Sequence, residues 1–342
     1  MRNHVVWLGL IPALLLTLVP APKGLPEADA ADGSLVLYSG RKQKLMRPVV
    51  RAFEKKSGIK IVMRTGTAST LVNLLMEERS APRADVFVAL YAPILNRLSE
   101  AKVLAPYRSG ATDKIPSTFR AKDRSWIGVT TRLRVIMYNT KLLKRDEAPK
   151  TIAELAHPKW KGKIAITRLG NSSMQGHLTV LYKTLGPQTA RKFMRGLAAN
   201  AGAVFKGHTG VRKAVGRGEF SVGLVNHYYY FLEKAGGSPV GIIYPDQGKG
   251  QSGAVMTITG VGIVSGAPHR KAAELFVDYL MTPRAQQIYA DTNYEFPVLP
   301  GVKSARGVPP LESLRINNYP QGDLSGADFD AMLRLAQQVG MK

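Results

Sequence analysis

The chain has 342 residues, with 48 Lys and Arg against 24 Asp and Glu, a net charge of +24 and no cysteine. This length exceeds one comfortable hydrophobic core, so we expect two domains. The lack of cysteine excludes disulfides, thiolate metal ligands and cysteine nucleophiles, so any binding chemistry must use oxygen and nitrogen atoms. The cations are spread along the whole chain without a basic tail, which argues against nucleic-acid binding and favours a generally basic surface.

Residues 1–30 are predicted to be a signal peptide. Arg2 supplies a positively charged start, and the apolar run of residues 5–20 is too short to span a bilayer comfortably. Ala28 and Ala30 then provide the small residues that a signal peptidase reads. No later stretch approaches the roughly 20 apolar residues of a transmembrane helix. The sequence therefore predicts an exported protein.

The first part of the remaining chain alternates strand-like runs with amphipathic helical stretches, as α/β proteins do. In chain order we predict a strand over 35–38, a helix over 44–56 that ends at Gly58, a strand over 59–63, a helix over 71–78 and a strand over 85–89. Three strand–helix units in so short a segment indicate a compact lobe with a parallel sheet.

A second lobe is predicted to begin after Trp126. Its strands are expected at 132–139, 163–167 and 220–225 with a helix over 188–197, followed by a return strand over 253–265, a helix over 268–281 and another from Pro283. Two extended crossings would join the lobes and leave a cleft at the strand ends. We expect one lobe to comprise residues 31–133 plus 262–342 with the C-terminal helices, and the other residues 134–261.

The densest chemical signal is the segment from Val225 to Tyr230, where a strand ends and a helix begins with Asn226 as the candidate N-cap. Three consecutive tyrosines, each turned about 100° from the last, cannot all face one core, so at least one should face the cleft. A helix N-terminus favours a phenolate, and ferric iron prefers oxygen ligands. Aromatic packing remains the alternative reading, and His227 is expected to pack or cap.

No catalytic set emerges from the sequence. The remaining histidines lack zinc-type spacing, and there is no nucleophile elbow or glycine-rich phosphate loop. A hydrolytic enzyme that uses the cleft stays open only as an alternative that lacks a nucleophile and base.

Seven stretches together resemble the periplasmic ferric-binding proteins of iron importers, also called bacterial transferrins. They are LVLYSGRKQ, RADVF, SEAKVLAPY, WIGVTTRLRVIMYN, LVNHYYYF, ITGVGIVSGAPHRKAAELFVDYLMTPRAQQIYA and NYEFPVLPGV. The resemblance implies a two-lobed periplasmic solute-binding fold of the type II kind, with parallel-sheet lobes joined by two crossover strands. It also implies a monomer without catalytic activity that carries ferric iron to an ABC transporter permease in the inner membrane.

The resemblance further implies the metal ligands. The family's adjacent tyrosine pair matches Tyr228 and Tyr229, and a third tyrosine on the first crossing strand matches Tyr138, while Tyr230 matches a packing position. Relatives place ligands after the first and third strands, where this chain has Lys42 and Gln43, and Leu90 and Tyr91. The first lobe therefore offers no obvious direct ligand unless Tyr91 reaches across.

Relatives that lack those ligands complete the coordination with a small anion, commonly carbonate. Arg41 is the candidate partner for this anion, since a guanidinium can donate two parallel hydrogen bonds to a planar oxyanion. The loop Gly170-Asn171-Ser172 and Asn226 match positions that contact the anion in relatives, and Arg132 is expected to be structural at the hinge. The main alternative is the same fold with an oxyanion, a phosphonate or a small cationic vitamin as its solute.

Overall fold

The computed structural model describes residues 34–317 and 319–342, so the predicted signal peptide lies outside the described residues. The strands are β1 (Ser34–Ser39), β2 (Lys60–Thr65), β3 (Val86–Ala89), β4 (Leu104–Ala105), β5 (Ile127–Asn139), β6 (Ile164–Thr167), β7 (Ala201–Phe205), β8 (Val222–Asn226), β9 (Val240–Ile243), β10 (Ala254–Val264), β11 (Phe296–Pro297) and β12 (Ile316–Asn317). The helices are α1 (Gln43–Ser57), α2 (Ala68–Glu77), α3 (Ala92–Glu100), α4 (Ser172–Asn200), α5 (His208–Gly216), α6 (His227–Ala235), α7 (Arg270–Leu280), α8 (Pro283–Asn293) and α9 (Gly326–Gln338). Within the described ranges, no helix combines the length and the apolar character that crossing a membrane requires.

The strands form a mixed sheet in the order β2-β1-β3-β10-β5-β8-β6-β7. At one end β1 pairs in parallel with β2 and β3, and at the other β6 pairs in parallel with β7 and β8. The long strands β10 and β5 lie between these parallel groups and run antiparallel to their neighbours. The predicted parallel units are present, but antiparallel strands join them.

The strand β5 connects the two halves of the sheet because its partners change along its length. Residues up to Leu133 pair with β10, whereas Arg134 and the residues after it pair with β8 and β9. Every residue of β5 and of β10 is buried, as expected for crossing strands covered on both faces. The lobe boundary predicted at residues 133/134 falls where β5 changes partners, and the boundaries themselves remain a prediction.

The first helix follows the apolar spacing of its sequence. Apolar residues at helical spacing, Met46, Val49, Val50 and Phe53, are buried under α1. Gly58 ends the helix in the left-handed conformation, with φ of 75°, and its N–H donates to the Glu54 carbonyl. Phe53 also packs edge-on against Phe276 of α7, with ring centroids 5.0 Å apart. The C-terminal helix α7 therefore packs on the first half, and placing all the C-terminal helices in that lobe is a prediction.

The last helix does not follow that prediction. α9 packs against α4 of the second half as well as α3 of the first. Its Asp328 pairs with Lys183 of α4 at 3.0 Å, and its Asp330 lies 3.5 Å from Arg97 of α3. Assigning the whole C-terminal segment to the first lobe was therefore too simple, because α9 contacts both halves.

Candidate functional site

Three helices begin at one edge of the sheet. The parallel strands β6, β7 and β8 end at this edge and lead into α4, α5 and α6. The first N–H groups of a helix have no partner within the helix, and the helix dipole adds positive potential there. Three converging helix N-termini therefore make this edge a favourable place for negative charge.

The tyrosine pair lies in the first turn of α6. Tyr228 and Tyr229 are 6% and 9% exposed, and their ring centroids are 4.3 Å apart. Tyr230 is half-buried and packs on Phe231 at 5.0 Å, as the sequence led us to expect. The pair is buried, yet its surroundings are not purely apolar, because three guanidinium groups lie within electrostatic reach of Tyr228.

Those guanidinium groups belong to Arg41, Arg132 and Arg134, and all three side chains are buried. Arg41 makes a two-pronged ion pair with Glu295, at 2.8 Å through Nη1 and 2.5 Å through Nη2. Arg132 lies 4.0 Å from the same carboxylate and donates to the carbonyls of Leu90 and Ile258. We call these four residues the arginine cluster.

The arginine cluster carries more positive than negative charge. Arg41 and Arg132 face one carboxylate and Arg134 faces none, and the Nε atom of each arginine has no hydrogen-bond partner in the described part of the chain. Burial lowers the pKa of Arg132 and of Arg134, and nearby phenol groups act in the opposite direction. Because an uncompensated buried charge is costly, this arrangement favours binding of an anion.

Two histidines lie beside the pair and differ in role. His227 packs, because its Nδ1 accepts from the Leu133 N–H at 3.2 Å, its Nε2 contacts the Tyr294 carbonyl at 2.7 Å, and its ring stacks on Phe296. Burial lowers the pKa of His227 to about 3, so the ring is neutral. The expectation that His227 packs agrees with this arrangement.

His208, in contrast, was not singled out by the sequence. Its ring lies 5.0 Å from that of Tyr229, and its Nε2 is 3.1 Å from Nη1 of Arg134. Burial lowers the pKa of His208 well below its usual value, so the ring accepts from Arg134 through Nε2. Its position directly after β7, at the edge where Tyr228 follows β8, is the signal that could have identified it.

The predicted anion-binding residues lie near this edge but make contacts of their own. Asn226 occupies the N-cap position of α6, yet its side chain does not cap the helix; it accepts from Arg134 at 3.0 Å and donates to Ser173 at 3.1 Å. Asn171 caps α4 by accepting from the N–H groups of Ser173 and Met174. Gly170 is exposed and Ser172 half-buried. Their role in anion binding, like that of Arg41, stays a prediction.

Tyr138 lies away from the tyrosine pair. The three tyrosine ligands expected from the resemblance are therefore reduced to Tyr228 and Tyr229. On β5, Arg134 is paired with Asn226 at the end of β8 nearest the tyrosines, whereas Tyr138 is paired with Val222. Four residues along a strand correspond to about 13 Å. The Tyr138 ring lies directly against Gly241 and belongs to a different hydrophobic cluster from Tyr228 and Tyr229.

Tyr91 makes a contact between the two halves of the sheet. Its hydroxyl donates to the Gln175 side chain at 2.9 Å, which joins the start of α3 to the first turn of α4. A Cβ atom added at Gly176 would lie 3.0 Å from the Tyr91 Cβ, so the two segments pack closely. Tyr91 therefore reaches across, but to Gln175.

Histidine, aspartate and glutamate side chains do not form a metal site in the described part of the chain. Across residues 34–317 and 319–342, no group of three or more His, Asp or Glu side chains could hold a metal ion. A hard metal bound near the edge would therefore depend on the phenol oxygens of Tyr228 and Tyr229 and on oxygens brought by an anion.

Comparisons with known proteins agree with the fold and with the family that the sequence resembles. Residues 81–317 match the model of the family described as bacterial extracellular solute-binding protein. The chain is 29% identical to an Fe(3+)-binding periplasmic protein of Serratia marcescens, over 92% of this chain and 93% of that one. It is 33% identical to iron uptake protein A1 of Synechocystis sp., over 83% and 82% of the two chains.

Among solved structures, a Trichodesmium protein (IdiA, FutA) in complex with iron and citrate is similar, with a TM-score of 0.78 and 32% identity over 91% of this chain and 100% of that one. The chain belongs to the family of bacterial extracellular solute-binding proteins. The predicted resemblance to ferric-binding proteins and the predicted α/β, two-lobed fold class are thereby confirmed.

Replacing Glu295 tests the arginine cluster. Glu295→Gln removes its one carboxylate and leaves three buried cations together, so we expect the free energy of unfolding to fall by about 3 kcal/mol. Urea unfolding at neutral pH measures the change. The matched control is Glu219→Gln, which breaks an exposed pair with Arg217 and should change little. Equal stability of Glu295→Gln and the unchanged protein would contradict the account.

Proposed function

We propose that this chain is an exported receptor that captures ferric iron as cargo through Tyr228 and Tyr229, together with a small anion such as carbonate. The observation that carries the proposal is the position of the buried tyrosine pair, at a helix N-terminus and beside an arginine cluster with surplus positive charge. The names of the relatives, an Fe(3+)-binding periplasmic protein and an iron uptake protein, support the same cargo.

The chemistry follows from the protonation of the pair. Burial raises the pKa of Tyr229 well above its usual value, and the neighbouring phenol of Tyr228 raises it further. The phenol of Tyr229 is therefore neutral before the cargo arrives. A tightly held trivalent cation can displace phenol protons, as metals do for coordinating thiols.

Charge explains why an anion should accompany the metal. Two phenolates leave ferric iron with one uncompensated positive charge, and the arginine cluster already has a surplus. A dianion such as carbonate would offset two of these three positive charges, and it could bridge the metal and a guanidinium group. Since Tyr138 lies away from the tyrosine pair, the proposed anion balances more of the positive charge than three phenolates would have required.

The proposed biological role is delivery. A monomeric receptor in the periplasm would close around its cargo and present it to an ABC transporter permease in the inner membrane. Binding and release need no covalent step, so we propose no catalytic activity. An oxyanion or phosphonate as the sole solute remains the second candidate, because the arginine cluster has surplus positive charge even without a metal.

The visible spectrum tests the cargo. Adding ferric iron with bicarbonate should produce a tyrosinate-to-iron absorption band, and Tyr228→Phe or Tyr229→Phe should each remove most of it and weaken iron retention at least about tenfold. Tyr230→Phe and Tyr138→Phe are matched controls that should keep the band. A colourless protein that binds phosphate or a phosphonate without iron would reject ferric cargo and favour the second candidate.

Acid should release the iron. Each phenol that becomes a ligand gives up one proton, so below the phenol pKa the iron affinity should fall about tenfold per pH unit for each tyrosine, or about 100-fold for the pair. Because the pKa of Tyr229 is raised, this dependence covers the whole range from pH 5 to 8. Competition with a chelator of known protonation measures the slope. A slope near zero would exclude displacement of phenol protons.

Tyr91 should control release of the cargo rather than its coordination. Tyr91→Phe removes the hydrogen bond to Gln175 between the two halves, which we expect to speed iron release roughly fivefold, the equivalent of one hydrogen bond. The absorption band should stay the same. Stopped-flow transfer to a chelator measures the rate, with Tyr182→Phe on α4 as the control. A lost or shifted band would instead make Tyr91 a ligand.

A further inference from the structure

The outer face of α1 is a continuous row of cations. Its members are Lys44, Arg47, Arg51 and Lys55, and all four are exposed. At 3.6 residues per turn they fall within about 80° of one another around the helix and extend for about 16 Å along it. The buried residues of α1 lie on the opposite side. We call these four residues the basic stripe.

The basic stripe is not neutralised by its surroundings. None of its four residues takes part in an ion pair with any residue that the structure describes. The one acidic residue of α1, Glu54, accepts the backbone N–H of Ile61 at 2.9 Å and so turns toward β2. The net charge of +24 adds to the positive potential of this face.

The arrangement carries a cost that the fold does not explain. Arg47 and Arg51, and likewise Arg51 and Lys55, are like charges four residues apart, which destabilises a helix. Lys44 lies in the first turn, where the helix dipole disfavours a cation. An external partner with negative charge would offset these repulsions.

The composition of the face favours a lipid surface over a protein partner. Protein interfaces have cores enriched in aromatic residues and methionine. The large exposed apolar residues of the described chain are Val62, Met76, Leu142, Leu185 and Val204, and none of them is on α1. A straight row of cations without an apolar anchor fits a diffuse array of anionic headgroups, which attract basic residues through charge alone.

We propose that the basic stripe docks this protein on anionic phospholipid headgroups, which would confine it to a membrane surface. This docking is independent of iron and goes beyond capture of the cargo. Because the attraction is electrostatic and exposed, it weakens as the ionic strength rises.

Vesicle co-sedimentation tests the proposal with the purified protein. The probes are vesicles of equimolar phosphatidylcholine and phosphatidylglycerol, and vesicles of phosphatidylcholine alone. The test variant replaces Lys44, Arg47, Arg51 and Lys55 with Gln. The control variant makes the same change in charge on the second half of the sheet, at the exposed residues Lys161, Lys163, Lys192 and Arg195.

Each cation near an anionic bilayer strengthens binding about fivefold, so the test variant, which loses four cations, should bind anionic vesicles roughly 600-fold more weakly. The control variant should lose much less, and both variants should keep the iron band. Equal losses in the two variants would show that only the total charge matters and would overturn the proposal. Equal binding to neutral vesicles, or binding only to an acidic protein, would overturn it as well.

Discussion

The burial of three guanidinium groups with a single carboxylate, which only Arg41 and Arg132 approach, is the constraint on which the rest of the site depends. Arg132 and Arg134 extend from the same face of β5, because alternate residues of a strand share a face. Arg41 follows β1, and Glu295 precedes β11, so the arginine cluster ties two separate segments to the crossing strand β5. Removing these charges from water is costly, and one carboxylate offsets only part of that cost. The Nε atoms of Arg41 and Arg134, which have no hydrogen-bond partner among the described residues, mark where the rest of the compensation is missing.

The tyrosine pair gains its chemistry from this neighbourhood. A buried phenol in an apolar core would stay protonated, and burial alone does raise the pKa of Tyr229. The guanidinium groups and the start of α6 act in the opposite direction, since both favour negative charge. In the proposed mechanism the phenol of Tyr229 is neutral while the site is empty, and the guanidinium groups would stabilise its phenolate once a cation displaces the proton. Burial beside cations, rather than burial alone, distinguishes this pair from ordinary aromatic packing.

Much of the architecture could be predicted because it depends on short-range patterns. Apolar spacing and Gly58 defined α1, and the junction at Asn226 located the start of α6. The helix α4 was only half predicted, since Gly186 has φ of 77° and precedes Pro187, a pair that normally ends a helix. The N-terminal half of α4, which supplies Gln175, was therefore missed.

The errors at the site arise from long-range pairing. The partner of Arg41 is Glu295, 254 residues away in the chain, and no local pattern links them. Tyr138 was assigned by resemblance, but the register of β5 against β8 places it four residues beyond the end where the tyrosines lie. His208 was overlooked because its relation to Tyr229 appears only when the parallel order of β6, β7 and β8 is known. The sequence located the tyrosine pair at the start of a helix, whereas the residues that surround the pair could be found only from the fold.

A crystal structure of the protein loaded with ferric iron and bicarbonate tests the central claim most directly. The account predicts one metal ion bound by the hydroxyl oxygens of both Tyr228 and Tyr229, with an anion between the metal and the guanidinium groups of the arginine cluster. Iron found at His208 or at surface carboxylates, with both phenol oxygens free of metal, would contradict it.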